Sequence, residues 1–260
     1  MMDKRFQDQA QGLRQLLHAA PPEVLAVLPC GQGSMNWVAG QLRARAASGA
    51  RILAMEERRA YGNLADCLGI SPRFDLAAAM RGELPLDACI HESVAGLDVT
   101  LVAALADALG KDRIFNQRCE AQLRVLRSGW DEWVVLARGG SIEGFSQLSL
   151  ASPRFLVALS SDPMSLTAAY ACLKQIAAAG GERLVSICMT DAEAPHARQT
   201  LQRLCDVVLQ RLDMPLQPVS SVGEALACGR HEPGSGADAY IDRLVRAAAG
   251  GARQGLAAKG

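Results

Sequence analysis

The chain has 260 residues, half of them hydrophobic, which is enough to bury one sizeable core and predicts a single domain. Lysine plus arginine and aspartate plus glutamate both total 27, so the formal net charge is zero. A neutral chain gives no electrostatic reason to expect nucleic acid or an anionic membrane as a partner. Aromatic residues make up only 4%, which leaves few rings for stacking on bases.

The cysteines and the N-terminal residues indicate the compartment. Eight cysteines occur without a C-x-x-C pair, and most lie in apolar runs, which predicts buried free thiols rather than a zinc site or a disulfide framework. Residues 1–14 are polar and lack the apolar segment of a signal peptide, and no apolar run approaches the ~20 residues that span a bilayer. We therefore expect a cytoplasmic protein with no metal site.

The first part of the chain reads as a separate helical arm. Apolar residues recur there at helical spacing: Phe6, Ala10, Leu13 and Leu17. Consecutive prolines at 21 and 22 end the predicted helix over 5–19, because proline cannot continue a helix. The expected organisation is an arm over 1–20, a main domain over 23–250, and a disordered Gly- and Ala-rich tail over 251–260.

Strand-like and helix-like segments then alternate through the main domain. Strands are predicted at Glu23–Leu28, Arg51–Met55, Leu97–Ala103, Trp133–Ala137, Arg154–Ser160 and Arg183–Met189. Helices are predicted at Met35–Ala47, 61–68, 75–81, 84–90, 112–127, 165–179 and 194–212. This order predicts an α/β fold with a doubly wound, mostly parallel sheet that is covered on both faces.

In such a sheet, ligands bind at the carboxyl ends of the strands. The first strand leads into Cys30-Gly31-Gln32-Gly33-Ser34-Met35-Asn36, which has glycines but lacks the lysine of a phosphate-binding loop. A tight strand–helix turn explains the glycines as well. After the second strand, Glu56 and Glu57 precede Arg58 and Arg59, so they read either as metal-type carboxylates or, preferably, as a solvated charge cluster.

Two later strand ends offer less chemistry. Leu136-Ala137-Arg138 brings no carboxylate to the edge. Ser160-Ser161-Asp162 before Pro163 suggests a nucleophile at first sight, but it is better interpreted as the N-cap of the following helix.

Several segments resemble one family. Asp8-Gln9-Ala10-Gln11-Gly12-Leu13-Arg14 fits the D-Q-A-x-x-L-R motif in the N-terminal arm of the FlhG/FleN proteins, the MinD/ParA-like regulators of flagellar number. Similarity to that family continues through Gly62–Gly69, Phe74–Glu83, Ser161–Lys174 and Ser221–Ala225. The resemblance covers nearly the whole chain and implies a MinD/ParA-like fold of the SIMIBI type of P-loop NTPase with an N-terminal helical arm.

The chain departs from the family pattern where the family binds ATP and Mg²⁺. In the register of the K-G-G-x-G-K-S/T loop, Cys30 and Met35 replace the two lysines and Asn36 replaces the Ser/Thr, although the turn still contains two glycines, Gly31 and Gly33. Arg58 replaces the second aspartate of the D-A-D strand end, with Glu56 at the first, and Leu136 replaces the aspartate of the third strand end. The adenine-facing asparagine falls at Met189 or Thr190. These departures imply a degenerate nucleotide site without ATP, Mg²⁺ or appreciable hydrolysis.

The retained arm implies a protein partner. In the family, this helix docks on FlhF, a signal-recognition-type GTPase, and stimulates GTP hydrolysis. Carried over, Gln9 orients the attacking water in trans, Asp8 and Arg14 fix the docking, and Ala10 and Leu13 form the apolar face. From composition alone, the same helix could instead fold back on the core.

Three functions remain open at this stage. The leading one is a regulator of flagellar biosynthesis that binds an FlhF-type GTPase, a flagellar transcription regulator or a basal-body protein, with recruitment to the cell pole. The others are a weak ATPase that uses Glu56, and a scaffold that pairs with an intact paralogue. An apolar face at 240–248 reads as packing against the sheet rather than as a membrane helix, so membrane association is expected to be weak or absent.

Overall fold

A computed structural model describes residues 20–138, 144–230, 234 and 236–257, with side chains to Ala249. The predicted N-terminal arm lies outside the described residues. Its partner-binding residues are Asp8, Gln9, Ala10, Leu13 and Arg14. The arm therefore stays a prediction from the sequence.

Eight strands form one sheet within the described part of the chain. They are β1 Glu23–Cys30, β2 Ile52–Glu56, β3 His91–Val94, β4 Leu97–Leu101, β5 Glu132–Leu136, β6 Arg154–Leu159, β7 Leu184–Met189 and β8 Gln217–Pro218. Their order is β3-β4-β2-β5-β1-β6-β7-β8, and every neighbouring pair is parallel except β3 with β4. The predicted doubly wound, mostly parallel sheet is confirmed.

Helices connect the strands on both faces. They are α1 Ser34–Ala47, α2 Leu64–Leu68, α3 Ala77–Arg81, α4 Ala103–Ala108, α5 Arg113–Leu126, α6 Gln147–Leu150, α7 Pro163–Ala179, α8 Ala197–Leu212, α9 Val222–Ala227 and α10 Ala237–Ala257, with a 3-10 helix at Leu86–Cys89. The last helix continues to Ala257, where the composition predicted a disordered tail from 251 onward.

Two apolar layers sandwich the sheet. In β1, Val24 and Ala26 face the layer that contains α5, α7 and α10, whereas Leu25 and Val27 face the layer that contains α1 and α9. Both sides of the strand are buried, so the strands carry continuous apolar runs without polar alternation.

The C-terminal helix α10 packs on the first of these layers. Tyr240, Ile241 and Leu244 are buried there, and Trp133 meets the Tyr240 ring edge to face at 6.2 Å. Ion pairs from Arg124 of α5, and from Arg127 just after it, to aspartates of α10 hold the two helices side by side. The predicted use of this apolar face for packing is confirmed.

Polar side chains fix the ends of several helices. The Asn63 side chain accepts a hydrogen bond from Asp66 N at the start of α2, and Ser221 accepts one from Glu224 N at the start of α9. Asp75 accepts hydrogen bonds from Ala77 N, Ala104 N and Leu105 N, which ties α3 to α4. All three side chains thus bind backbone N–H groups at the start of a helix, which have no partner within the helix itself.

Candidate functional site

The loop between β1 and α1 lies at the carboxyl edge of the sheet, beside the ends of β5 and β6. Gly31 and Gly33 have φ angles of 92° and 80°, a left-handed conformation that favours glycine. The Ser34 hydroxyl donates to the Cys30 carbonyl over 2.7 Å and closes the turn as α1 begins. The glycines therefore serve the tight connection that the sequence offered as one explanation.

The side chains at the two lysine positions of this loop are buried. Cys30 is 4% exposed and Met35 is 6% exposed, and Met35 packs in the apolar layer beneath α1. The Cys30 thiol lies 4.0 Å from the Cys172 sulfur of α7. This hydrogen bond, together with burial, holds the pKa of the Cys30 thiol well above its usual range, so Cys30 is a neutral thiol. Asn36 is exposed on α1.

The first turn of α7 rests on the loop. A Cβ on Gly31 would lie 1.6 Å from the Ser165 Oγ, so no side chain fits between them. Asp162 caps α7 by accepting from Met164 N and Ser165 N, each over 3.0 Å, which confirms the predicted N-cap. Hydrogen bonds from the Ser160 and Ser165 hydroxyls lower the pKa of the Asp162 carboxyl.

Glu56 is fully buried at the end of β2, so the prediction that it belongs to a solvated charge cluster is wrong. One carboxylate oxygen accepts from Arg58 N over 2.8 Å and the other from Leu64 N over 2.6 Å. Burial raises the pKa of Glu56 to about 7. The carboxyl group thus holds the β2–α2 loop in place by satisfying two buried backbone donors.

Glu57 is also buried, and it faces the opposite side of the strand. Its Oε1 accepts from the Ser146 hydroxyl over 2.5 Å and from the Ser149 hydroxyl over 3.0 Å. Burial raises the pKa of Glu57, and the two hydroxyl groups offset part of that effect. Glu57 therefore joins β2 to the start of α6. No sequence pattern indicates this pairing, because the serines lie some 90 residues further along the chain.

Two arginines bind the Asp107 carboxylate at the same edge of the sheet. Arg59 and Arg138 each donate to the Asp107 carboxylate over 2.8 Å, one to either oxygen. Together with Glu57 and Arg58 they line a small cavity of about 260 Å³. Three guanidinium groups, those of Arg58, Arg59 and Arg138, therefore line this part of the edge.

The sheet brings the sequence-predicted residues together. Leu136, the buried last residue of β5, pairs with Val27 of β1 on one side and with Glu56 of β2 on the other. One edge of the sheet therefore carries three parts of the predicted site: the β1–α1 loop, the end of β2, and Leu136. The loop contributes Cys30, Gly31, Gly33, Met35 and Asn36, and the end of β2 contributes Glu56 and Arg58. Met189 is the last residue of β7, which lies two strands away from β1 in the sheet, and Thr190 follows it.

Two further findings concern metals and membranes. Within the described ranges, no group of three or more His, Cys, Asp or Glu side chains is arranged to hold a metal ion. None of the helices seen there combines the length and the apolar character needed to cross a membrane.

The fold and this edge define an α/β domain with a doubly wound, mostly parallel sheet and a glycine turn after its first strand. Solved structures with the same fold include the MinD cell division protein of Aquifex aeolicus, with 17% identity, a TM-score of 0.53 and coverage of 86% of this chain and 96% of that chain. A ParA family ATPase from Chlorobium tepidum has 14% identity and a TM-score of 0.51, with 86% and 98% covered.

Cobyrinic acid a,c-diamide synthase from Mycobacterium smegmatis matches with 18% identity and a TM-score of 0.55, over 85% of this chain and 91% of that chain. No family model matches the chain, and no curated protein does. The chain therefore has the MinD/ParA type of P-loop NTPase fold.

Proposed function

We propose that this chain is a nucleotide-independent protein of the MinD/ParA fold that regulates flagellar biosynthesis or flagellar number by binding other proteins. The observation that carries its nucleotide independence is the burial of Cys30 and Met35, which stand at the two lysine positions of the loop. A neutral thiol and a thioether in the core bring no positive charge to a phosphate. Phosphoryl transfer depends almost entirely on positioning and charge stabilisation, so hydrolysis of ATP should be negligible.

The residues at the metal position do not fit Mg²⁺–ATP. Magnesium takes oxygen ligands, but the Glu56 carboxylate is fully buried and backbone N–H groups already bind both of its oxygens. Arg58 stands where the family pattern has its second aspartate, and its guanidinium group adds positive charge there. A weak ATPase that uses Glu56 would need this carboxylate to be free, so the contacts of Glu56 disfavour that alternative.

The proposed partner is an FlhF-type GTPase. The support is the match of Asp8–Arg14 to the D-Q-A-x-x-L-R motif. A glutamine amide such as that of Gln9 can orient an attacking water without ionising, which suits a stimulator supplied in trans. A flagellar transcription regulator or a basal-body protein is the other proposed class of partner, and recruitment to the cell pole would follow from either.

The test is GTP hydrolysis by the cognate FlhF-type GTPase with the full-length chain, its Gln9→Ala variant and its Gln11→Ala variant. Gln11 is the matched control, because it is a glutamine of the same segment at a variable position of the motif. We expect the wild type and Gln11→Ala to accelerate hydrolysis and Gln9→Ala to have no effect. Equal rates with and without the wild-type chain would remove the GTPase from the proposal.

A second candidate function is a scaffold that pairs with an intact ATPase paralogue. The observation that favours it is a pair of exposed apolar side chains at the carboxyl edge of the sheet. Tyr61, in the loop after β2, is 96% exposed, and Met164, at the start of α7, is 82% exposed. A partner that docked on this edge would cover both side chains.

Pairing can be measured by sedimentation velocity with the paralogue. The scaffold function predicts a complex that is weakened by Tyr61→Ser and Met164→Ser but kept by Val125→Ser, an exposed apolar site at the end of α5. The absence of a complex with the wild-type chain would exclude this function.

A further inference from the structure

A large crevice opens at the amino-terminal edge of the sheet, opposite the edge described above. It has a volume of about 680 Å³ and lies where β6 and β7 begin. Ser152 precedes β6, Gly181 and Arg183 precede β7, and Arg243 and Arg246 reach the crevice from α10. Pockets for small molecules typically measure about 300–1,000 Å³, so this crevice has the size of a ligand site.

The crevice carries an excess of positive charge. Arg183, Arg243 and Arg246 contribute three guanidinium groups, while Glu182 on the rim is exposed. Among the described residues, no carboxylate forms an ion pair with any of these three arginines. Arg154 at the floor differs from them, because it is buried and paired with Glu23. The positive charge of the three is therefore left without a counterion from these residues.

Arg183 and Arg243 each donate one guanidinium N–H group to a backbone carbonyl and keep another guanidinium nitrogen without a partner. Arg183 donates from one Nη to Leu150 O over 3.2 Å, and Arg243 donates from one Nη to Gly234 O. The second Nη of Arg183 and the Nε of Arg243 are buried and have no hydrogen-bond partner. Buried donors without partners are uncommon and costly, so these two point to a missing acceptor.

The electrostatics agree with this geometry. Burial lowers the pKa of Arg183, and burial together with repulsion from Arg183 and Arg246 lowers the pKa of Arg243. Arg243 is thus close enough to Arg183 and to Arg246 to be repelled by both. An anion between them would relieve that repulsion.

We propose that this crevice is a binding site for a small phosphorylated molecule that carries at least two negative charges. The planar fork of arginine matches the oxygen atoms of a phosphate group and can bind it through paired hydrogen bonds. Three guanidinium groups exceed what a single carboxylate can satisfy, and the volume leaves space for an organic part beside the phosphates. The site shares no residue with the β1–α1 loop, so it stands or falls separately from the proposed function.

Pyrophosphate is a suitable first probe. Isothermal titration of the full-length chain at constant ionic strength would compare the wild type, the Arg183→Gln/Arg243→Gln variant, and Arg211→Gln as a control for charge. Arg211 is exposed on α8, away from the crevice. We expect the double variant to bind pyrophosphate roughly tenfold more weakly or worse, because charge-assisted hydrogen bonds are lost, and Arg211→Gln to bind like the wild type.

Because Arg183 and Arg243 also support the local backbone, Arg246→Gln provides a second variant. Arg246 is exposed, and within the described part of the chain its side chain donates a hydrogen bond only to Asp242 O of its own helix, so the variant should fold normally and still bind more weakly. The proposal would be overturned if all variants bound pyrophosphate as tightly as the wild type. It would also be overturned if the wild type did not bind pyrophosphate at this constant ionic strength. Binding to vesicles that contain phosphoinositides without any binding of pyrophosphate would also overturn it, since the ligand would then be a membrane surface.

Discussion

The Ser165 hydroxyl of α7 occupies the space in which a side chain on Gly31 would have to lie, with 1.6 Å between the oxygen and the position of a Cβ. Ser165 is fully buried, and its backbone N–H and hydroxyl are both bound by Asp162. The first turn of α7 therefore holds the β1–α1 loop directly, and the loop's shape depends on a helix that begins some 130 residues later in the chain.

This contact predicts that Gly31→Ala destabilises the protein more than Gly33→Ala. Both glycines have left-handed backbones, which cost alanine about 1–2 kcal/mol. Nothing lies within 4 Å of a Cβ at Gly33, whereas at Gly31 the clash with Ser165 adds to the backbone cost, for a total of roughly 2–4 kcal/mol. Urea unfolding of both variants measures the difference. Equal losses would mean that Ser165 moves aside without cost.

Restoring a lysine should not restore a phosphate loop. Met35→Lys would place an ammonium group in the apolar layer beneath α1, and we expect a loss of about 3 kcal/mol or more in the free energy of unfolding. Met35→Leu is the control and should cost less than about 1.5 kcal/mol, because it conserves volume and apolarity. A Met35→Lys protein as stable as Met35→Leu would show that the side chain reaches the loop instead.

Glu56 predicts a pH dependence of stability. Its pKa is about 7 in the folded chain against an ordinary value of 4.5, so the folded state binds the proton more tightly. The resulting stabilisation is complete below pH 4.5 and is lost as the pH rises through about 7, on the order of 3 kcal/mol. Glu57, whose pKa is also raised, contributes in the same direction.

Denaturation of Glu56→Gln across that pH range isolates the contribution of Glu56. The neutral amide does not titrate, so its stability should change less with pH than that of the wild type, although the amide loses one of the two acceptor oxygens. Glu193→Gln, at an exposed glutamate, should keep the wild-type slope. A slope unchanged in Glu56→Gln would mean that Glu56 is ionised throughout.

The sequence predicted the sheet and the residues at its edge because both depend on local patterns. Apolar runs such as that of β5 can be recognised without knowledge of their neighbours, and parallel strands bring their carboxyl ends to one edge. The positions of Cys30, Glu56 and Leu136 follow from those two facts. The antiparallel strand β3 was missed, since its four residues have alternating burial and follow a segment read as helical.

What those residues do at the edge depends on contacts between distant segments, which a single sequence does not reveal. Glu56 and Glu57 read as solvated because two arginines follow them. They are buried because Leu64 N, Ser146 and Ser149 supply hydrogen-bond donors. The contact between Cys30 and Cys172 spans 142 residues and likewise left no pattern in the sequence.

The most direct test of the nucleotide-independent function is a calorimetric titration with Mg²⁺–ATP at saturating millimolar concentration, paired with an assay of phosphate release. It should be run on the wild type and on Arg183→Gln/Arg243→Gln, so that any anion bound in the crevice is recognised as such. We predict no Mg²⁺-dependent binding and no hydrolysis above that of protein-free buffer in either protein. Tight Mg²⁺-dependent binding that persists in the double variant would contradict the loss of the nucleotide site.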